Sequence, residues 1–366
     1  MASSDDSRFM QLAISLGRRG LGHVWPNPAV GCVLVRDGTI VGRGWTAPGG
    51  RPHAETQALA QAGAAAQGAT AYVSLEPCAH HGHTPPCAQA LTDAGVARVV
   101  TALTDPDPRV AGRGHAMLRA AGITVTEGVE ADAALAANAG FLSRVERRRP
   151  WLTLKLALTL DGRIANASGE SRWITGPQAR RAVHAMRATH DAVLVGAGTA
   201  MADDPDLRVR DLGVATQPLR LVADSQLRLN ATSRLGRTAS DSPVWILHSD
   251  AAPLAARNAW GATQAHLVPV GAGPDGRIDA AAMLAALGDL GLTRVLCEGG
   301  GLLAASLLRA GLVDDLAVFS AGKFIGAEGR AGIGPLALAT LGDAPAFDLV
   351  EARPLGADVL HLWRRA

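Results

Sequence analysis

The chain has 366 residues, 48% hydrophobic and 19% charged, too long for one ordinary core and suited to two domains of roughly 150 to 200 residues. Its 42 Gly and 20 Pro follow no collagen-like period and form no low-complexity tract, which excludes fibrous and disordered classes. A formal charge of +2, interspersed acids and the absence of an apolar run near the roughly 18 residues of a span point away from duplex nucleic acid and from membranes.

The N-terminal MASSDDSRFM is acidic and polar, unlike an export signal. Asp5 and Asp6 are capping candidates for a helix whose Phe9, Leu12, Ala13 and Leu16 recur at helical spacing. VGCVLV and TIVGRGW then flank Arg36-Asp37-Gly38, the pattern of a tight hairpin. HAETQALAQAG, PCAQALTDAG and GHAMLRAAG read as helices, alternating with the strands TAYVSL, ARVVTAL and ITVTEG. A last helix from Ala131 to Arg148 ends in the basic run RVERRR, read as a solvated helix end rather than a nucleic-acid patch. The boundary is therefore set between residues 1–148 and 149–366, each an α/β layer domain.

The second half starts with the strand WLTLKLALTL and a helix from Pro177 to about Thr189. DAVLVGAG, LRLVAD, VWILH, AHLVPV, RVLC and DLAVFSAG follow as strands, with helices near Leu254–Trp260, Ala280–Leu290 and GLLAASLLRAG, and a C-terminal strand pair FDLVEAR and DVLHLW. Cysteines at 32, 78, 87 and 297 are too few for a disulfide framework and fit a reducing cytoplasm.

Two constellations carry chemistry. His53-Ala54-Glu55 opens one helix, and Pro77-Cys78 followed by Cys87 lies between a strand end and the next helix. One imidazole and two thiolates suit zinc and leave a fourth position for water, with Glu55 as general acid/base. The pattern is that of nucleobase deaminases, with the Cys–Cys spacing stretched by AHHGHTPP. A structural zinc knuckle, with one of His80, His81 or His83 as fourth ligand, is the competing assignment. In the second half no well-placed G-x-G-x-x-G exists, but Glu298-Gly299-Gly300-Gly301 joins a strand to a helix, where free amides could face a phosphate. Glycines at such turns also arise for steric reasons alone. Lys155 interrupts an apolar strand, as a cleft-facing amine or one snorkelling at a sheet edge, and Asp161 is either a turn residue or a cleft contact.

The residues PNPAVGC from Pro26, His53-Ala54-Glu55 and EPCAHHGHTPPC resemble the deaminase half of the bifunctional riboflavin-biosynthesis deaminase/reductases. KLALTLDGRIA, SGESRWITG, ADDP from Ala202 and EGGGLLAASLL are similar to its reductase half, so the resemblance covers almost the whole chain. It implies a cytidine-deaminase-like α/β/α domain and a dihydrofolate-reductase-like α/β domain. It also implies zinc on His53, Cys78 and Cys87, Glu55 as proton carrier, Asn27 at the pyrimidine edge and His83, where relatives often carry Lys, near a phosphate. For the second half it implies NADPH at Ala157, Trp173, Thr199, Asp203, Ser225 and Gly300 to Ser306, including Gly301. Substrate then falls to Lys155, Ser171, Arg187, Leu207, Arg210 and Glu298, with the two arginines suited to a 5′-phosphate.

On that resemblance a 2,5-diamino-6-ribosylamino-4(3H)-pyrimidinone 5′-phosphate loses its 2-amino group as ammonia. NADPH then reduces the ribosyl group, giving 5-amino-6-(5-phosphoribitylamino)uracil. A homodimer or larger homo-oligomer is implied by the family only. A nucleic-acid-editing deaminase shares the metal motif but is disfavoured by 4% aromatics and the small net charge. A zinc-stabilised scaffold without catalysis is the third class.

Overall fold

The computed structural model describes residues 3–80 and 85–366; His83 lies outside them. The chain divides into two compact units, Met1–Arg148 and Arg149–Ala366.

In the first unit the helix α1 (Ser4–Gly17) is capped by Ser3, whose hydroxyl accepts from the Asp6 amide while the Asp6 carboxylate accepts from the Ser3 amide. The cap is thus Ser3 rather than Asp5 or Asp6, because Asp6 sits three residues on and closes the box. Strands β1 (Gly31–Arg36) and β2 (Thr39–Trp45) form the expected hairpin, with Asp37 and Gly38 at φ of 49° and 74°. Helix α2 (Ala54–Ala62), β3 (Thr70–Val73), α3 (Cys87–Asp93), β4 (Arg98–Thr101), α4 (Arg113–Ala120), β5 (Thr124–Thr126) and α5 (Ala131–Arg147) complete the unit.

The five strands order as β2-β1-β3-β4-β5, with β3, β4 and β5 parallel. The two-residue period divides the sheet into two buried faces. Cys32 and Leu34 pack with Ala54, Ala58, Ala88, Leu91 and Leu118 under α2, α3 and α4. Val33 and Val35 pack with Phe9, Met10, Ala13, Ala134 and Ala137 under α1 and α5. The basic run ends α5 as expected, but Arg149 is not solvated: it forms a pair of hydrogen bonds with buried Asp314 at 2.7 and 2.8 Å.

The second unit runs β6 (Trp151–Thr159), β7 (Arg163–Ala165), α6 (Pro177–Ala188), β8 (Ala192–Gly196), α7 (Ala197–Asp203), β9 (Leu219–Ala223), α8 (Arg234–Arg237), β10 (Val244–His248), α9 (Leu254–Gly261) and β11 (His266–Pro269). It continues with α10 (Ala280–Asp289), β12 (Arg294–Cys297), α11 (Gly301–Arg309), β13 (Asp315–Ala321), β14 (Arg330–Ala331), β15 (Phe347–Leu355) and β16 (Asp358–Arg365). Nine strands order as β11-β10-β9-β8-β12-β6-β13-β16-β15, parallel except where β16 meets β13 and β15. The chain places β6 first, skips one position to β8, moves outward to β11 and returns to insert β12 in the gap. The turns after β8, β9 and β12 therefore gather at the carboxyl edge, where open α/β sheets bind ligands.

Candidate active sites

The deaminase-type motif folds into one cluster. His53 is the N-cap of α2 and Cys87 the first residue of α3, while Cys78 lies in the connection after β3. The His53 Nδ1 is 3.3 Å from Cys87 Sγ and 3.7 Å from Cys78 Sγ, and all three ligand atoms fall within 4.8 Å of one another. The Cys87 amide donates to Cys78 Sγ at 3.3 Å. Bonding from the Cys87 thiol, opposed by burial and reinforced by His53, pulls the Cys78 pKa down to about 4. An imidazole and two sulfurs at this spacing form a zinc donor set with room for one more ligand.

Glu55, in the first turn of α2, is only 4% exposed. Burial pushes its pKa up to about 7 and the Cys78 charge adds to that, against the opposing pull of His53. A carboxyl that holds or yields its proton near neutrality is what proton transfer to a leaving amine requires. Two glycines set the height of α2 over the sheet: a Cβ on Gly42 or Gly44 would lie 2.2 Å from the carbonyl oxygen of Ala58 or Ala54. Asn27 approaches from the loop before β1, its amide occupying the space a Cβ on Gly50 would need.

In the second unit the pieces converge at the same edge of the sheet. Arg187, near the end of α6, grips Glu298 at 2.6 and 2.9 Å and donates its remaining arm to the Arg208 carbonyl. Burial opposes the Glu298 charge, but Arg187 and then Lys155 override it and hold its pKa down at about 2. Lys155, on β6, is pushed below the usual amine range by burial, with Glu298 and Asp203 pulling the other way. Gly300, at φ 54°, would place a Cβ 2.8 Å from Thr199 Oγ1, so the α7 and α11 starts meet there. Gly299 has a steric reason of its own, since its Cβ would lie 2.5 Å from the Gly196 amide nitrogen. The first amides of α11 lack intrahelical partners, as at any helix start, and the glycines leave them open to an anionic group such as a pyrophosphate.

The family description "RibD C-terminal domain" matches residues 150–361, and "Cytidine and deoxycytidylate deaminase zinc-binding region" matches residues 3–103. The riboflavin biosynthesis protein RibD of Escherichia coli is 44% identical over 98% of this chain and 99% of its own. The chain belongs to the RibD family. Solved RibD structures agree: that of Acinetobacter baumannii (form 1) superposes with a TM-score of 0.88 at 39% identity, covering 99% of both chains. A bifunctional deaminase/reductase of Thermotoga maritima gives 0.86 at 33% identity, also over 99% of both. As in the RibD family, this enzyme performs a deamination and a reduction of riboflavin biosynthesis on a small phosphorylated pyrimidine. Zinc serves the first step and NADPH the second.

Against this RibD frame, several expected contacts occupy different surroundings from those their residue types suggest. The fork of Arg187 is filled by Glu298. Leu207 is 2% exposed and packs in the core, with its backbone at φ 63°. Trp173 is 61% exposed with the Arg180 guanidinium 4.6 Å from its ring centre, and Ser171 precedes it in the same loop. Ser225 follows β9, two strands and so about 10 Å from β12. Ser306 lies five residues beyond Gly301, about 7.5 Å along α11. Ala157 sits on β6 two residues from Lys155 and packs toward α6.

Two further residues stand out. The buried Glu76 carboxylate accepts from the amides of Asp105, Gly112, Gly114 and His115 at 2.8–3.1 Å, tying the segment before Cys78 to the start of α4. His184 accepts from the Arg210 amide at 3.2 Å and lies one turn from Arg187 on α6. The sequence signal for the second was the 184/187 spacing, which places both on one helix face. No such signal exists for Glu76, because its partners are backbone amides some 29 to 39 residues away.

Proposed function

We propose that residues 1–148 remove the 2-amino group of 2,5-diamino-6-ribosylamino-4(3H)-pyrimidinone 5′-phosphate as ammonia. Residues 149–366 then reduce the ribosyl group of the product with NADPH, giving 5-amino-6-(5-phosphoribitylamino)uracil. The observation that carries this reading is the triad of ligand atoms within 4.8 Å, with a buried carboxyl two residues from His53. The Thermotoga maritima relative is a diaminohydroxyphosphoribosylaminopyrimidine deaminase/5-amino-6-(5-phosphoribosylamino)uracil reductase, which supports the same pair of substrates here.

His53, Cys78 and Cys87 would hold zinc, whose Lewis acidity supplies an activated water at neutral pH. Glu55 takes the proton of that water and passes it to the leaving amine, its burial matching its proton affinity to the task. The amide of Asn27 donates and accepts at the pyrimidine edge. His83 serves the phosphate, with more pH dependence than a lysine in that place.

For the reduction, NADPH supplies hydride, and the protein orients the two reactants and excludes water. Gly300, Gly301 and Thr199 seat the cofactor phosphates at the start of α11, with Asp203, Ala157, Trp173, Ser225 and Ser306 along the remainder. The Lys155 ammonium polarises the ribosyl oxygen that gains charge, and Glu298, locked by Arg187, fixes the sugar hydroxyls. Arg210 contacts the 5′-phosphate, alongside Ser171 and Leu207. The enzyme works in the reducing cytoplasm, in keeping with four free cysteines, and as a homodimer or larger homo-oligomer. Among the described residues no helix is long and apolar enough to cross a membrane. The test is stoichiometry: one ammonia released and one NADPH consumed per ribityl product support the reading, and NADPH oxidation without a ribityl product refutes it.

A further inference from the structure

The Asp161-Gly162 turn at the end of β6 reaches a segment far along the chain. The Asp161 carboxylate accepts from the Ile325 amide at 3.1 Å and the Gly326 amide at 2.7 Å, while the Thr159 hydroxyl bonds its other oxygen. Next to it the Gly332 amide donates to the Gly162 carbonyl at 2.9 Å, and β7 pairs with β14. The Lys323 ammonium donates to the Trp173 carbonyl at 2.7 Å. Residues 323–334 are thereby strapped along the carboxyl end of β6, and the far end of the strap reaches α11. There the Gly334 amide donates to the Gly301 carbonyl at 2.9 Å, and a Cβ on Gly301 would lie 3.1 Å from the Ala331 carbonyl oxygen.

We infer that Asp161 is a positioning residue for the cofactor: it pins the 323–334 strap, whose far end closes one side of the α11 start. This rests on the reading of that helix start as the dinucleotide seat. A carboxylate is suited to the role because two converging amides need two acceptor lone pairs and gain from its charge. An amide side chain at the same place carries no charge and only one acceptor oxygen, so it loses the second oxygen that accepts from the Thr159 hydroxyl and, at 3.3 Å, from the Ile325 amide. The strap meets Gly301 through backbone atoms of Ala331, Gly332 and Gly334, so its position sets how much room the cofactor phosphates have, without touching the chemistry of hydride transfer.

The experiment is steady-state reduction by the full-length, zinc-loaded enzyme with Asp161→Asn, Lys323→Met and Gly300→Val variants, with ammonia release measured on each. Expected for Asp161→Asn is a KM for NADPH raised about tenfold with kcat at saturation changed less than about twofold, unchanged ammonia release, and faster amide exchange over residues 323–334. A wild-type KM for NADPH in Asp161→Asn, or a fall in kcat at unchanged KM, overturns the inference. If that variant does not fold, Lys323→Met decides, since its exposed side chain holds the second tether: a raised KM supports the strap and an unchanged one overturns it. Gly300→Val separates the two readings. A raised KM there with a wild-type Asp161→Asn refutes the strap alone, whereas a wild-type KM in Gly300→Val refutes the seat and the strap with it.

Discussion

Lys155 and Glu55 show how individual side chains are tuned by what surrounds them. Both are charged residue types withdrawn from water, where an unpaired charge is costly and burial shifts proton affinity toward the neutral form. For Glu55 the shift is upward to about 7, and for Lys155 it is downward. Both oxygens of Glu298 are taken by Arg187, and among the described residues no hydrogen bond or ion pair ties Lys155. On the proposed reading that amine serves the substrate. Lys155→Ala should therefore lower reduction at least about tenfold while ammonia release is unchanged; equal loss of both activities would indicate general damage instead. Residue types in motifs were legible for the metal cluster, because each ligand is defined by its own chemistry. The partner of Arg187 was not legible, since which group fills a guanidinium fork depends here on a carboxylate 111 positions away.

At the scale of elements, the strands and longer helices follow from hydrophobic period, whereas α7 and the β7/β14 pair do not. Helix α7 starts directly after β8 in the sequence AGTAMAD, with no loop and with Gly198 inside its first turn; the β7/β14 ladder is two or three residues long and pairs segments over 160 apart. Close approach is similarly invisible until the helix is in place. Gly44→Ala would drive a methyl into the Ala54 carbonyl at 2.2 Å, shifting α2 and with it His53 and Glu55. The expected result is a loss of about 1–3 kcal/mol in thermal unfolding with deamination reduced and NADPH-dependent reduction retained; unchanged ammonia release would contradict it.

The end of α6 gives a pH dependence. His190 is buried, with Nδ1 2.7 Å from the Met186 carbonyl and Nε2 3.1 Å from Thr153 Oγ1, so Nδ1 carries the proton of a neutral ring. Burial, aided by Arg294, holds its pKa down at about 3, well under the unfolded value of about 6.5. The neutral ring thus stabilises the fold fully above about pH 6.5 and loses that contribution as pH falls toward 3, about 2 kcal/mol of it by pH 5. Unfolding at pH 7 and pH 5 should show a steeper fall in wild type than in His190→Gln. Parallel slopes would remove His190 as the cause.

For the whole molecule, one chain carries two chemistries on two units, and each activity serves as a control for damage to the other. The two-domain organisation was readable from length and alternation. Ser225 and Ser306 belong to no local motif with chemistry of its own, so their residue types alone carry no role. The central claim is that the His53, Cys78 and Cys87 cluster with Glu55 deaminates the pyrimidine phosphate. The direct measurement is ammonia released from that substrate without NADPH by zinc-loaded wild type and Glu55→Gln, with zinc content determined on both. The account predicts release by wild type and a rate lower by at least about a hundredfold in Glu55→Gln at equal zinc content. Wild-type release by the variant, or none from zinc-loaded wild type, would contradict it.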